Sequence, residues 1–230
     1  MIEDPAKLTL IKNAPRPTQA QIDAFAGIPT GFVCDAMDGM GALATAISPL
    51  TPAQHATVHG PALVADNGPA EILATLAAVH MIQPGDVVVA AVQGHQGCSA
   101  SGDQLMGMMV NAGAAGFVTD GPMRDVEGIE LTGMNCWCTG LNPASPYAHG
   151  PGTVGGAAAV GGRIIATGDM IIADRNGVVV VPYARIDEVI AKLEDVKKAE
   201  IDLETKVKSG FKTPLDLDAM LADGTAKAIG

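Results

Sequence analysis

The chain has 230 residues, room for one large domain or one domain with a tail; 48 % are hydrophobic, enough to bury a full core, and only 17 % are charged. A formal net charge of −11 with no dense Lys/Arg cluster argues against a nucleic-acid partner, and no run of 18 apolar residues exists to span a membrane. The four cysteines (Cys34, Cys98, Cys136 and Cys138) lack zinc-site spacing and read as reduced structural thiols, so a cytoplasmic protein is expected.

Residues 1–16 read as an N-terminal arm that mixes acids, lysines and prolines without an apolar signal core. Thr18 can cap a helix over Gln19–Phe25, closed by Gly27. Pro29-Thr30 opens a second helix over Gly31–Met37, and Asp38-Gly39 ends it. Val58–Ala65 reads as a strand and Asn67-Gly68-Pro69 as a turn, while apolar spacing predicts a helix over Pro69–His80. Gln83-Pro84-Gly85-Asp86 then feeds a β-branched run, Val87–Val92, that predicts a buried strand. A helix from about Gly102 to Asn111, a strand over Gly116–Thr119 and a mostly β segment from Asn135 to Ile165 come next. Ala166-Thr167-Gly168-Asp169, a near copy of the earlier turn, feeds Met170–Ala173, and Asp174-Arg175-Asn176-Gly177 makes a hairpin turn into Val178–Val181. A long charged helix runs from Ile186 to about Lys208, closed by Gly210. The Val/Ile runs predict a sheet covered on both faces, a mixed layered α/β sandwich. Neither a dinucleotide fingerprint after a strand nor a Walker-type Gly-Lys-Ser/Thr is present. Residues 17–185 are expected to form the α/β domain and 186–230 a C-terminal helix and tail.

Chemistry concentrates between Gly94 and Asp125. Gly94-His95-Gln96-Gly97-Cys98-Ser99-Ala100-Ser101-Gly102-Asp103 is a Gly/Ser-rich loop that opens a helix, whose free backbone N–H groups suit a carboxylate. The strand at Gly116–Thr119 leads into Asp120-Gly121-Pro122-Met123-Arg124-Asp125. Both loops follow C-terminal strand ends, where ligands gather in α/β sheets, so neighbouring strands would bring Asp103 to Arg124-Asp125. Hard carboxylate oxygens suit Mg²⁺ or Mn²⁺, and the planar fork of an adjacent Arg suits a carboxylate or enolate oxygen. A surface ion pair and a helix cap fit the same residues, and spacing alone leaves those readings open. His95 lies in the binding loop, where it can touch a substrate or bond to backbone. Gln96 to Ser101 holds no basic residue.

Asp103, twenty intervening residues, then Arg124-Asp125 resembles the Asp/Glu-x20-Arg-Asp signature of the class II pyruvate aldolases acting on 4-hydroxy-4-methyl-2-oxoglutarate and 4-carboxy-4-hydroxy-2-oxoadipate. Their family also holds the regulators of RNase E activity. The flanks are similar too: Gly113-Ala114-Ala115-Gly116-Phe117-Val118-Thr119-Asp120-Gly121, Pro84-Gly85-Asp86, Gly150-Pro151-Gly152, and Gly168-Asp169 to Pro182. This resemblance spans roughly residues 20–215. It implies a layered β/β/α sandwich of the swivelling-domain type with a C-terminal helix, assembled as a homotrimer or homohexamer, with segment 186–230 packing on a neighbouring subunit. It also implies that Asp125 ligates a divalent metal, Mg²⁺ or Mn²⁺, that Asp103 holds the water around it, and that Arg124 binds the 2-oxo acid and steadies its enolate. The backbone amides from Gly102 through Asp103 and Gln104 to Leu105 would take the pyruvate carboxylate. An acidic residue from a neighbour's C-terminal helix, Glu200 or else Glu204, would complete the site. The implied activity is cleavage of a 4-hydroxy-2-oxo acid to pyruvate, with oxaloacetate decarboxylation as a side activity through the same enolate. The alternatives are different enolate chemistry at the same site, or a non-catalytic protein-binding regulator. Those regulators share the Arg-Asp pair but are shorter and lack the long C-terminal helix.

Overall fold

The computed structural model describes residues 6–51 and 57–229; residues 1–5 of the expected arm and Gly230 of the expected tail lie outside the described residues. In chain order the first half runs β1 (Leu8–Leu10), α1 (Gln19–Asp23), α2 (Thr30–Ala36), β2 (Ser48–Pro49), β3 (Val58–Asp66), α3 (Leu73–Ala78), β4 (Val87–Ala91), α4 (Asp103–Ala112) and β5 (Gly116–Thr119). The second half runs α5 (Val126–Thr132), β6 (Cys136–Cys138), β7 (Gly152–Val154), β8 (Ala157–Val160), β9 (Arg163–Ala166), β10 (Met170–Asp174), β11 (Gly177–Val181), α6 (Ile186–Lys208) and α7 (Leu217–Ala222).

Strands β3, β4, β5 and β6 pair in parallel, in register from Ala62↔Val87 through Val87↔Gly116 to Phe117↔Cys136. The sheet order is β1-β7-β3-β4-β5-β6-β2, and β10, flanked by β11, joins it by pairing antiparallel with the first residues of β3. Strand β3 thus belongs to two layers. Gly60 lies at that junction, where a Cβ would stand within bonding distance of the Gly85 carbonyl, so only glycine permits the approach.

The period-2 alternation of the buried strands divides the core. Val64, Val87, Val89, Ala91, Val118 and Trp137 face Val160, Ile165, Ile171 and Val180 of the β8–β11 layer. Leu63, Val88, Ala90, Phe117 and Cys136 face Ala74, Ala78, Met106, Met109 and Ile129 of helices α3, α4 and α5. The architecture is therefore a β/β/α sandwich with a C-terminal helix, the fold class expected. Burial holds the Cys136 thiol well above its ordinary value, and none of the four cysteines is in a disulfide.

Several elements differ from the sequence reading. Helix α3 covers six residues instead of Pro69–His80. Its start is delayed because Ala70 takes φ 56° and Glu71 bridges to Tyr147, leaving the Glu71 carboxylate to accept from Ile72 N and Leu73 N. The expected arm contains β1, which pairs with β7, and Arg16, which is ion-paired with Asp86. Helices α5 and α7 and the short strand β2 fall where no element was assigned.

Residues from Glu194 onward form a second compact unit, separate from the body that ends at Leu193. It carries the distal part of α6, with i,i+3 and i,i+4 pairs Glu194–Lys197 and Glu204–Lys208, and α7, capped by Asp216 through Ala219 N at 3.0 Å.

Glu71 organises the long connection between β6 and β7. Its Oε1 accepts from Ile72 N (2.8 Å) and Leu73 N (3.0 Å), and its Oε2 from His149 N (2.8 Å) and Gly150 N (2.9 Å). Burial alone would raise this carboxyl; the four backbone N–H groups outweigh it and hold the group below its ordinary value of 4.5. Glu71→Gln offers an NH₂ where an oxygen accepted two N–H groups, and at pH 7 it should cost about 1–3 kcal/mol in urea denaturation. Because the folded-state pKa is depressed, the wild-type advantage should be complete above the ordinary glutamate value and should disappear as pH falls through the lowered one. An advantage that grew toward acid would contradict this account of the loop.

Candidate active site

The parallel register sets β4 and β5 side by side, so the connections that leave them run together. Val92 N and Gly94 N both donate to the buried Asp120 carboxylate at 2.8 Å, fastening the exit of β4 to that of β5. Ala100 N then donates to Pro122 O (2.7 Å) and Arg124 N to Ser101 O (3.1 Å). The connection after β6 joins the same rim, Met123 N donating to Gly140 O (2.8 Å) and Asn142 N to Met123 O (2.9 Å).

This pairing delivers Gly102, the N-cap of α4, to Arg124 and Asp125. A Cβ on Gly102 would stand 2.5 Å from Asp125 Oδ2 and 3.2 Å from Arg124 Nε. Asp103 opens the helix, and its carboxylate packs on α5 over Gly128, where a Cβ would stand 2.5 Å from Asp103 Oδ2. Gly102 thus makes room for Arg124 and Asp125, and Gly128 for Asp103.

Asp125 holds φ 60°, ψ 46°, a left-handed conformation uncommon outside glycine and tolerated best by Asn and Asp. Its side chain makes no cap hydrogen bond to α5 and is 47 % exposed, which keeps the carboxylate available. Arg124 Nη1 donates to Ser145 Oγ at 2.6 Å. Its Nε lies 3.2 Å from Asp125 Oδ2, close enough for ion pairing but without an aligned hydrogen bond. Among the described residues, Ser101 Oγ and Arg124 Nε are the buried side-chain polar atoms without a hydrogen-bond partner. An unmet buried donor costs about 1–3 kcal/mol. Arg124 Nε can only donate, so an acceptor would satisfy it, whereas the Ser101 hydroxyl can donate or accept.

The structure therefore brings together Gly102, Asp103, Gln104, Arg124 and Asp125. Gln104 N already donates to Asp103 Oδ1 (2.6 Å), so that amide is engaged. Leu105 offers only its backbone, since its side chain lies in the core. His95 sits in the turn after β4 with its ring over Gly97, and its N–H donates to Val92 O (3.1 Å). Glu200 is carried by the separate C-terminal unit. Ser101 and Ser145 were not singled out by sequence reasoning. Ser101 sits within the Gly/Ser-rich loop, but nothing in sequence marks its hydroxyl as buried. Ser145, in a Pro-rich connection, carries no signal that ties it to Arg124.

A cavity of about 660 Å³ opens nearby, with Asp66, Gln93, Gln96, Asp120 and Thr139 among its lining residues. The Asp66 carboxyl there is raised by burial first and by the Asp120 charge second. Asp103, Arg124 and Asp125 lie outside this cavity, which has no Lys or Arg in its lining. The candidate site is favoured over it because the guanidinium, with its unmet Nε, and the Asp125 carboxylate meet at Gly102.

Residues 30–180 match the RraA-like family, Aldolase/RraA. A protein of Halalkalibacterium halodurans, provisionally named a 4-hydroxy-4-methyl-2-oxoglutarate aldolase, is 34 % identical over 192 residues, 82 % of this chain and 89 % of that protein. RraAS2 of Streptomyces coelicolor, described as an unusual member of the RNase ES inhibitor RraA protein family, superposes with a TM-score of 0.69 at 26 % identity, covering 83 % of this chain and 98 % of its own. An uncharacterized protein of Pseudomonas syringae pv. tomato shares the fold, with a TM-score of 0.75 at 22 % identity over 87 % of this chain and 93 % of that one. By the match over residues 30–180 and the similarity along most of its length, the chain belongs to the RraA-like family.

Proposed function

We propose that the protein is a divalent-metal-dependent carbon–carbon lyase that releases pyruvate from a 4-hydroxy-2-oxo acid. The observation that carries this reading is the meeting of Arg124 and Asp125 at Gly102, which immediately precedes Asp103 at the start of α4, with Arg124 Nε buried and without a hydrogen-bond partner. Similarity to the H. halodurans protein, named for such an activity, supports it.

The donor set fits a hard cation. Among the described residues no group of three or more His, Cys, Asp and Glu converges as a closed cage. Two carboxylates with the remaining positions left to water and substrate suit Mg²⁺ or Mn²⁺ better than a structural zinc site. In this proposal Asp125 is the direct ligand and Asp103 holds water beside it. Glu200 of a neighbouring copy, or else Glu204, completes the set in a homotrimer or homohexamer of the cytoplasm. No helix among the described residues is long and apolar enough to cross a membrane.

A bound divalent ion would supply Lewis acidity toward the 2-oxo group. The chain's own groups do the rest. The amides of Gly102, Asp103 and Leu105 at the start of α4 receive the substrate carboxylate. The C4 hydroxyl proton leaves through water to a carboxylate, with Asp103 the nearest candidate. The C3–C4 bond breaks, and its electron pair becomes the C2–C3 double bond of pyruvate enolate. Arg124, turning from Ser145, brings Nε to the oxygen on which charge develops. A proton returned to C3 completes pyruvate. Loss of CO₂ from oxaloacetate leaves the same enolate, which makes decarboxylation the expected side activity.

A second reading is a non-catalytic protein-binding regulator, favoured by the likeness to RraAS2. Pyruvate release in the presence of Mg²⁺ separates the two.

Asp125→Asn removes the charge but keeps a residue that tolerates the left-handed backbone. It should weaken Mn²⁺ binding, read by calorimetry, and abolish pyruvate release, while stability changes by about 0.5 kcal/mol or less. Full activity in this variant, or with excess chelator, would remove the metal from the proposal. Arg124→Lys keeps the charge and loses the planar fork. It should lower kcat on the order of 10²–10³-fold while Mn²⁺ affinity survives; unchanged turnover on a confirmed substrate would show that Arg124 is a surface ion pair only.

A further inference from the structure

We infer that Ser145 is a positioning residue: it holds the Arg124 guanidinium so that the Asp125 carboxylate stays open to a metal ion. This inference rests on the metal ligation proposed for Asp125 and names the group that keeps that ligand free in the resting protein.

An arginine beside an aspartate is prone to close on it. The planar fork of N–H donors matches a carboxylate, and the charge-assisted hydrogen bonds between them are among the stronger polar contacts a protein makes. At Arg124-Asp125 this contact is half made. Arg124 Nε lies 3.2 Å from Asp125 Oδ2, within hydrogen-bond reach, yet Nε has no hydrogen-bond partner. The separation suits a hydrogen bond and the orientation does not. A small rotation of the guanidinium plane would align Nε with Oδ2, and Asp125 would then meet a metal ion with its charge already taken by a competing cation.

Arg124 Nη1 accounts for the plane that is observed. It donates to Ser145 Oγ at 2.6 Å. A planar group that is bonded to its own side chain through Nε and tied at Nη1 has lost most of its freedom to rotate. Ser145 can serve as the fixed point because its connection is itself fixed. One residue earlier, Ala144 O accepts from Ser99 N (2.9 Å) and from Ser99 Oγ (3.0 Å). Ala144 N donates to Asn142 Oδ1 (2.9 Å), and Asn142 is tied in turn to Met123 O through its N–H and to Gln96 O through Nδ2, both at 2.9 Å. Two residues later, Tyr147 N donates to Ala70 O (2.8 Å). Pro143 and Pro146 restrict the backbone on either side of Ser145. The same restraint that spares Asp125 leaves the Nε donor unspent for an acceptor that a substrate brings.

Mn²⁺ binding to the full-length protein, followed by calorimetry without substrate, tests this. Ser145 is exposed, so Ser145→Ala should leave the melting temperature unchanged. It should nevertheless weaken Mn²⁺ binding on the order of three- to tenfold, the scale on which neighbouring charged groups couple. Ser145→Thr keeps a hydroxyl and should restore the affinity. In an Arg124→Ala background, Ser145→Ala should have no effect, because no guanidinium is left to close on Asp125. Equal affinity of Ser145→Ala and the wild type, or the same loss with and without Arg124, overturns the inference and leaves Asp125 as the ligand. Asp125→Asn marks the other failure: if the wild type binds no Mn²⁺, or if Asp125→Asn binds it equally well, the metal reading of Asp125 falls and this inference with it.

Discussion

The candidate site depends on one constraint: the connections leaving β4, β5 and β6 stay hydrogen-bonded to one another after the sheet ends. The Asp120 carboxylate starts this by accepting from Val92 N and Gly94 N at the exits of two adjacent strands. Ala100 to Pro122, Ser101 to Arg124 and Met123 to Gly140 continue it. Loops joined in this way behave as an extension of the sheet, so the position of Gly102 against Arg124 is set by backbone geometry rather than by flexible side chains. A site assembled on such a rim is preorganised, which electrostatic stabilisation of a developing charge requires. Glycine at 102 and 128 is the steric condition for it, because any Cβ at either position would meet a carboxylate oxygen at 2.5 Å.

Much of this arrangement was legible in the chain. The β-branched runs at Val87–Val92 and Val178–Val181 can be little else than buried strands. The spacing from Asp103 to Arg124-Asp125 is that of one helix, one turn and one strand, which returns the chain beside its starting point. What stayed hidden depends on contacts distant in sequence. Ser145 meets Arg124 across 21 residues, and Glu71 holds His149 N and Gly150 N across 78 and 79. The apolar spacing from Pro69 to His80 describes a helical face correctly, but it cannot show that the Glu71 carboxylate takes the first backbone donors and delays the helix. Helix α5 escaped notice because its start is a left-handed Asp125, a conformation that no propensity signals.

The left-handed backbone at Asp125 adjoins the unmet Arg124 Nε, and Arg124 N is bonded to the carbonyl of Ser101, whose hydroxyl is also unmet; each costs free energy in the folded chain. Four non-glycine residues among those described have positive φ, namely Asp38, Ala70, Gln93 and Asp125. Of these, only Asp125 adjoins an unsatisfied buried donor. Local cost concentrated where acidic groups and a cation also meet is the pattern expected of a place optimised for a ligand rather than for stability.

The RraA-like family spans names that describe an aldolase and names that describe an inhibitor of an RNase, and the physics of the site explains how one scaffold can serve both. An Arg-Asp pair on a rigid rim can anchor a partner's carboxylate as readily as a substrate's, because both need only a fixed fork and a fixed position. Cleavage demands more: interactions that strengthen as charge moves onto an enolate oxygen. Here the guanidinium sets its Nη1 on Ser145, and its Nε, 3.2 Å from Asp125 Oδ2, makes no hydrogen bond. A group already satisfied would gain little from a developing anion. One held beside the reacting position with a donor unspent gains a hydrogen bond as the charge appears, and that difference between ground state and transition state is what the lyase reading requires of Arg124.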